Sequence, residues 1–251
     1  MSNPIWVNTK GLPAIFDALN RDDTAGLENV LETSPESVND RDTEGRTALH
    51  WAAALRRRLV PLLLSHGADA LLQDDAGWSA LHIASTVSGP EGVAVVRALL
   101  QALAGRRQLS AALLAETHTG ATPVLLAASK GNLDTLKELL SSGVPVDLEK
   151  TDTYGNTALM RATSAGHLEA VQLLLELGAR ISNVNEKTGQ NVLHVACSEA
   201  RMPVLQLLVS YADEEAWQLL DRQQHRPRDL LPKSMQLELA SLEGNLSMLK
   251  P

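Results

Sequence analysis

A short frame recurs five times along this 251-residue chain, and it limits the possible folds more than any other feature. The first copy reads Asp42-Thr43-Glu44-Gly45-Arg46-Thr47-Ala48-Leu49-His50-Trp51-Ala52-Ala53, and the second Asp74-Asp75-Ala76-Gly77-Trp78-Ser79-Ala80-Leu81-His82-Ile83-Ala84. The others run from Gly120 through Thr122-Pro123-Val124-Leu125, from Asp152 through Gly155-Asn156-Thr157-Ala158-Leu159, and from Gly189 through Asn191-Val192-Leu193-His194. Their glycines are 32, 43, 35 and 34 residues apart. Self-similarity at such a period marks a stack of small units, each burying its apolar face against its neighbours. Glycine supplies the positive φ of a tight turn, and the Thr, Ser or Asn two residues later is a helix N-cap type. The Leu-x-x-Ala face that follows is small, so a first helix can lie close to its neighbours. A second helix is read from apolar spacing in Leu133, Leu136, Leu139 and Leu140, and again in Leu168, Val171, Leu174 and Leu175. These stop at Gly143 and Gly178, as helix C-caps prefer.

Turn, two antiparallel helices and a Thr-Pro-Leu-His type of signature resemble the ankyrin-repeat family. The resemblance implies an all-α fold, an ankyrin-repeat solenoid of about seven helical-hairpin units with degenerate terminal caps. The whole of 1–251 is read as a single ankyrin-repeat domain. Residues 14–41 form its N-terminal cap unit, with Ile15, Phe16, Leu19, Leu27, Val30 and Leu31 at helical spacing. Five clear repeats span 42–213, and 214–251 is a degenerate C-terminal cap in which Arg226-Pro227-Arg228-Asp229-Leu230 keeps a remnant of the signature.

Two segments depart from the period. The 43-residue step holds about ten extra residues, roughly three at Val87–Gly92 and about seven near Ala102–Ser110. The second group is expected to lengthen the loop after the outer helix. Arg56-Arg57-Arg58 stands between the two helices of its unit, either as a solvated helix start or as a contact for an acidic partner.

Chemistry is thinly represented. His50, His82 and His194 share one slot of the repeat, so they lie about a repeat apart and cannot share a metal ion; in ankyrin repeats that histidine braces the turn. Cys197, the single cysteine, excludes an intrachain disulfide and reads as buried filler without an activating neighbour. No phosphate-binding glycine motif is present, and residues 214–251 carry no catalytic constellation. A net charge of −8 argues against a phosphate-binding surface. No apolar run approaches the roughly 20 residues of a membrane span, and Met1–Lys10 lacks a signal-peptide pattern. The expectations are therefore no catalysis, no cofactor, no metal, no nucleic acid and no membrane, with residence in the cytoplasm and nucleus as a monomer.

Turn tips and first helices line the concave, partner-binding surface of such solenoids. Read onto that surface, the candidate contacts are Glu44, Arg46, Trp51, Asp75, Trp78, Lys130, Tyr154 and Arg161. Trp and Arg are the usual interface anchors. Trp78 at a turn tip has little structural reason to be there, whereas Trp51 could equally pack between hairpins.

Within the ankyrin family, Arg46-Thr47-Ala48-Leu49-His50-Trp51, Asp74-Asp75-Ala76-Gly77-Trp78, Ala127-Ala128-Ser129-Lys130 and Val192-Leu193-His194-Val195-Ala196-Cys197 resemble the gankyrin group of proteasome assembly chaperones. The resemblance implies a concave face that holds the C-terminal domain of a base ATPase subunit of the regulatory particle. It also implies that Glu44, Arg46, Asp75 and Lys130 occupy charged contact positions. The animal members' retinoblastoma-binding motif is matched only by Val195-Ala196-Cys197-Ser198-Glu199, with Val for Leu, and that activity is not carried over. The alternative is an ankyrin-repeat inhibitor or scaffold for a kinase or transcription factor.

Overall fold

The computed structural model describes residues 11–55 and 57–247, with side chains up to Ala240. Arg56 and the first ten residues, read above for a targeting signal, lie outside them. The helices in chain order are α1 (Ala14–Asn20), α2 (Thr24–Thr33), α3 (Ala48–Leu55), α4 (Val60–Ser65), α5 (Ala80–Ser85), α6 (Pro90–Gly105), α7 (Leu109–Leu114) and α8 (Pro123–Lys130). They continue as α9 (Leu133–Leu140), α10 (Ala158–Ala165), α11 (Leu168–Glu176), α12 (Val192–Ser198), α13 (Met202–Tyr211), α14 (Glu214–Gln218) and α15 (Lys233–Ser247). Among the described residues the only extended pairings are two isolated antiparallel bridges, Arg41 with Thr47 and Gln73 with Ser79.

Several of the repeat turns are built around one side chain. Asp42 Oδ1 accepts from the backbone N–H of Glu44 (3.0 Å) and Arg46 (2.8 Å). Asp74, Asp152 and Asp221 do the same for the turns they open. The carboxylate thus satisfies N–H groups that a bent backbone cannot pair with itself. The N-caps fall where the sequence puts them: Ser79, Thr122, Thr157 and Asn191 each accept from the residue three positions on. Neighbouring turns are stitched by Asp75 N–H to Glu44 O (3.0 Å) and His118 N–H to Ala76 O (2.9 Å). That approach demands glycine: a Cβ on Gly77, at φ 79°, would lie 2.8 Å from the His118 nitrogen.

The chain divides into two compact units. The first comprises residues to His118 with Asp134–Pro145, and the second Thr119–Leu133 with the chain from Val146 onward. In the first, α1, α3 and α5 pack side by side, and α4 packs on α6. Its core holds Ile15, Phe16, Leu19, Leu49, Leu63, Leu81 and Leu99. In the second, α8, α10 and α12 pack in order while α11 lies on α13, around Leu125, Leu159, Leu174, Leu193 and Leu205. Few aromatic rings take part, and Leu, Ala and Val fill the space as the composition implies.

The insertion after the outer helix is helical, not the lengthened loop expected from the sequence. α6 runs for 16 residues to Gly105, a turn at Arg106–Gln108 follows, and α7 adds six more helical residues. Strong helix formers and an apolar stripe explain this, because Leu99, Leu103, Ala112 and Leu113 are all buried. The shorter insertion at Val87–Gly92 makes the sharp entry to α6, with Gly89 as N-cap and Pro90 at the first helical position.

The C-terminal remnant keeps the turn of a full unit. Gln224 stands in the glycine slot at φ 65°, and Pro227–Leu230 forms a single 3-10 turn where a first helix would begin. Asp229 takes the histidine's place and accepts from the Arg226 N–H at 2.8 Å.

Candidate partner-binding site

The shared histidines brace the turns. Thr47 N–H donates to His50 Nδ1 (3.0 Å), which leaves the proton on Nε2 to donate to the Trp78 carbonyl of the next turn (2.9 Å). His82 reaches the Ala115 carbonyl (3.0 Å) and His194 the His225 carbonyl (3.1 Å) in the same way. Burial pushes the His50 and His194 rings below the usual imidazole range, and the hydrogen bonds to those carbonyls only partly oppose it.

Trp78 is therefore held by its backbone while its half-buried ring stays at the surface, edge-on to His82 with centroids 6.3 Å apart. Beside it opens a cavity of about 340 Å3 in the first unit, lined by Arg46, His50, Trp51, Ala54, Leu55, Trp78, Ile83 and Thr86. Its lining is mostly apolar, with Arg46, His50 and Thr86 as the polar members; Arg46 pairs with the exposed Glu44, whose carbonyl accepts from the N–H of the exposed Asp75.

The structure resolves the two readings of Trp51. The ring is 6% exposed, meets Phe16 edge-to-face at 5.3 Å, and donates from Nε1 to Asp42 Oδ2 at 2.7 Å. It packs between hairpins and forms the wall of the cavity. Arg46 donates from Nε to the same Asp42 oxygen (2.7 Å) and pairs with Glu44 (2.6 Å), with its guanidinium over the Trp51 ring. Burial alone would raise the Asp42 pKa, yet the hydrogen bonds from Trp51, Arg46 and Glu44 outweigh it and hold the carboxyl below its usual range.

The second unit repeats this plan with different residues. Arg161 occupies the slot of Trp51, nine positions after the turn aspartate, and donates from Nε to the buried Asp152 Oδ2 at 2.7 Å. Its guanidinium lies over the exposed Tyr154 ring at 5.3 Å. Lys130 is exposed at the end of α8. The candidates thus separate by unit: Glu44, Arg46, Trp51, Asp75 and Trp78 come together in the first, and Tyr154 and Arg161 share one turn in the second. Ile83, missed in the sequence, lines the cavity; its signal was the same nine-residue offset from Asp74 that places Trp51 and Arg161.

Of the arginine run, Arg57 pairs with Glu91 at 2.8 Å and Arg58 with Asp22 at 3.0 Å. Cys197 is fully buried. Among the described residues no group of His, Cys, Asp or Glu is arranged to hold a metal, and no helix is long and apolar enough to cross a membrane.

Comparison with known proteins agrees with this architecture. Family models described as ankyrin repeats match residues 15–107, 94–185 and 164–209. The chain is 29% identical over 208 residues to a protein of Saccharomyces cerevisiae named probable 26S proteasome regulatory subunit p28, covering 81% of this chain and 86% of that one. It is also 29% identical over 202 residues to the human transient receptor potential cation channel subfamily A member 1, of which it spans only 17%. Among solved structures, the ankyrin repeat domain of Bcl-3 superposes with a TM-score of 0.75 at 23% identity, covering 92% of this chain and 99% of that domain.

Proposed function

Given that the chain belongs to the ankyrin-repeat family, we propose that it is a non-catalytic binding protein that chaperones assembly of the proteasome regulatory particle. In this reading it holds the C-terminal domain of a base ATPase subunit. The observation that carries the proposal is the Trp78 cavity together with the exposed Glu44, paired with the cavity's Arg46, and the exposed Asp75 on the next turn: a largely apolar recess for an anchoring side chain, with nearby acids that select a basic partner surface. The match to the yeast regulatory-subunit protein along most of both chains supports the same partner class. The mechanism is steric and needs no cofactor. While the ATPase domain is held, it cannot make its later contact with the proteolytic core.

Affinity capture of the tagged protein from its own cells tests this. Free regulatory-particle subunits should be recovered, with ATPases prominent and mature core particle depleted, from both cytoplasmic and nuclear fractions. Recovery of a kinase or a transcription factor in place of the ATPases would contradict the proposal.

A further inference from the structure

The turn aspartates do not all complete their hydrogen bonds alike. Oδ1 of Asp42, Asp74, Asp152 and Asp221 folds the turn, and in three of the four a further side chain donates to Oδ2. Asp42 Oδ2 accepts from Arg46 Nε and Trp51 Nε1, both at 2.7 Å. Asp152 Oδ2 accepts from Arg161 Nε at 2.7 Å, and Asp221 Oδ2 from Gln190 Nε2 at 3.5 Å.

Asp74 is the exception. Its Oδ1 accepts from the N–H groups of Ala76 (2.9 Å) and Trp78 (2.8 Å), but among the described residues no donor meets its Oδ2. In the first repeat those donors stand four and nine residues after the aspartate; here the same slots hold Trp78 and Ile83. Asp74 is half-buried, and its Oδ2 is not shielded from solvent. Trp78 and Ile83 both line the cavity of about 340 Å3 described above.

Two guanidiniums of this chain show what completes such a carboxylate. Arg46 and Arg161 each pair with their turn aspartate and lie over an aromatic ring, Trp51 at 5.5 Å and Tyr154 at 5.3 Å. The second repeat offers the carboxylate oxygen and the half-buried Trp78 ring, and no arginine of its own turn. Charge on the first two turns also favours a cation. Asp42, Glu44, Asp74 and Asp75 stand there against Arg41 and Arg46, and Arg41 donates to the Gly45 and Gln73 carbonyls.

We propose that Asp74 is a specificity-determining residue of the partner-binding site, and that its Oδ2 takes an arginine side chain of the partner. That side chain enters beside Ile83 and lies over Trp78 as Arg161 lies over Tyr154. A guanidinium combines a flat face for the ring with directed N–H groups for the carboxylate, whereas the compact ammonium of lysine does not. The inference deepens the reading above and rests on its cavity. The probe below contains no ATPase, so each can fail without the other.

The test is a titration of the full chain with acetyl-Gly-Arg-Gly-amide and acetyl-Gly-Lys-Gly-amide, followed by NMR at the Trp78 indole N–H, which Trp78→Phe identifies. The arginine peptide should shift this resonance saturably and bind about tenfold or more tighter than the lysine peptide, as loss of one charge-assisted hydrogen bond implies. Asp74→Asn keeps the Oδ1 acceptor and should fold, because Asn185 Oδ1 accepts from the N–H groups of its own turn. Binding of the arginine peptide to that variant should fall by about tenfold. Ile83→Arg puts a guanidinium in the slot of Arg161, so it should raise the melting temperature and abolish peptide binding. No shift with the arginine peptide, equal affinity for the two peptides, or undiminished binding to folded Asp74→Asn or Ile83→Arg would each overturn the assignment.

Discussion

Removing the Asp42 carboxylate strands four donor groups on three residues at once. Its side chain is 1% exposed, and it accepts from Trp51 Nε1, from Arg46 Nε and from two backbone N–H groups of the turn. Asp42→Ala leaves these donors unpaired in a buried setting, so it should cost roughly 2–4 kcal/mol in urea denaturation. Glu44→Ala loses an exposed pair with Arg46 and an exposed hydrogen bond from Thr43 Oγ1, and should cost under about 1 kcal/mol. Residue-scale pH behaviour follows from the braces. His50 and His194 are depressed by burial, so below about pH 6.5 the unfolded chain takes up protons that the folded chain resists. Their contribution to stability is therefore complete above about pH 6.5 and is lost as pH falls through the depressed folded values. Melting temperature should drop on acidification from about pH 7.5 to about pH 5, and His50→Gln should flatten the profile; an unchanged slope in that variant would contradict the brace. Asp42, also depressed, titrates below this window and does not confound it. The histidine brace was legible in the sequence because one residue type recurs in one slot. The fate of Trp51 was not, since a ring at that slot reads alike whether it meets a partner or Phe16.

At the scale of elements, first helices were legible through their caps and second helices through their apolar spacing. Ser79, Thr122, Thr157 and Asn191 cap as their positions indicate. The insertion was misread because glycine and paired arginines at 105–107 resemble loop chemistry, while the stretches on either side are strong helix formers with buried leucines. The difference is measurable. Leu113→Ala should cost about 2–5 kcal/mol, because the side chain is fully buried. Leu114→Ser, at a position 48% exposed, should stay within about 0.5 kcal/mol. Equal, small effects from the two would mean that α7 does not pack. Gln224 shows the opposite kind of concealment: the repeat puts glycine in that slot, and the chain accepts a strained φ of 65° to keep the turn without it.

For the molecule as a whole, the acidic balance of the sequence distributes unevenly over exposed sites. The first unit presents Glu44 and Asp75 beside a recess walled by aromatic rings, and the second presents Tyr154, steadied by Arg161, together with Lys130. Turn-tip positions were readable from the repeat frame, since every tip follows a fixed offset from its glycine. The recess was not, because it depends on Leu55 and Ile83, which carry no motif and matter only through their neighbours. The central claim is that this surface holds a base ATPase. Its most direct test is titration of the purified chain with the isolated C-terminal domains of the regulatory-particle ATPases, followed by calorimetry. The account predicts saturable one-to-one binding to one of them, weakened about tenfold or more by Glu44→Lys/Asp75→Lys with little change in melting temperature. Absence of binding to every such domain, or equal binding by the reversed-charge variant, would contradict it.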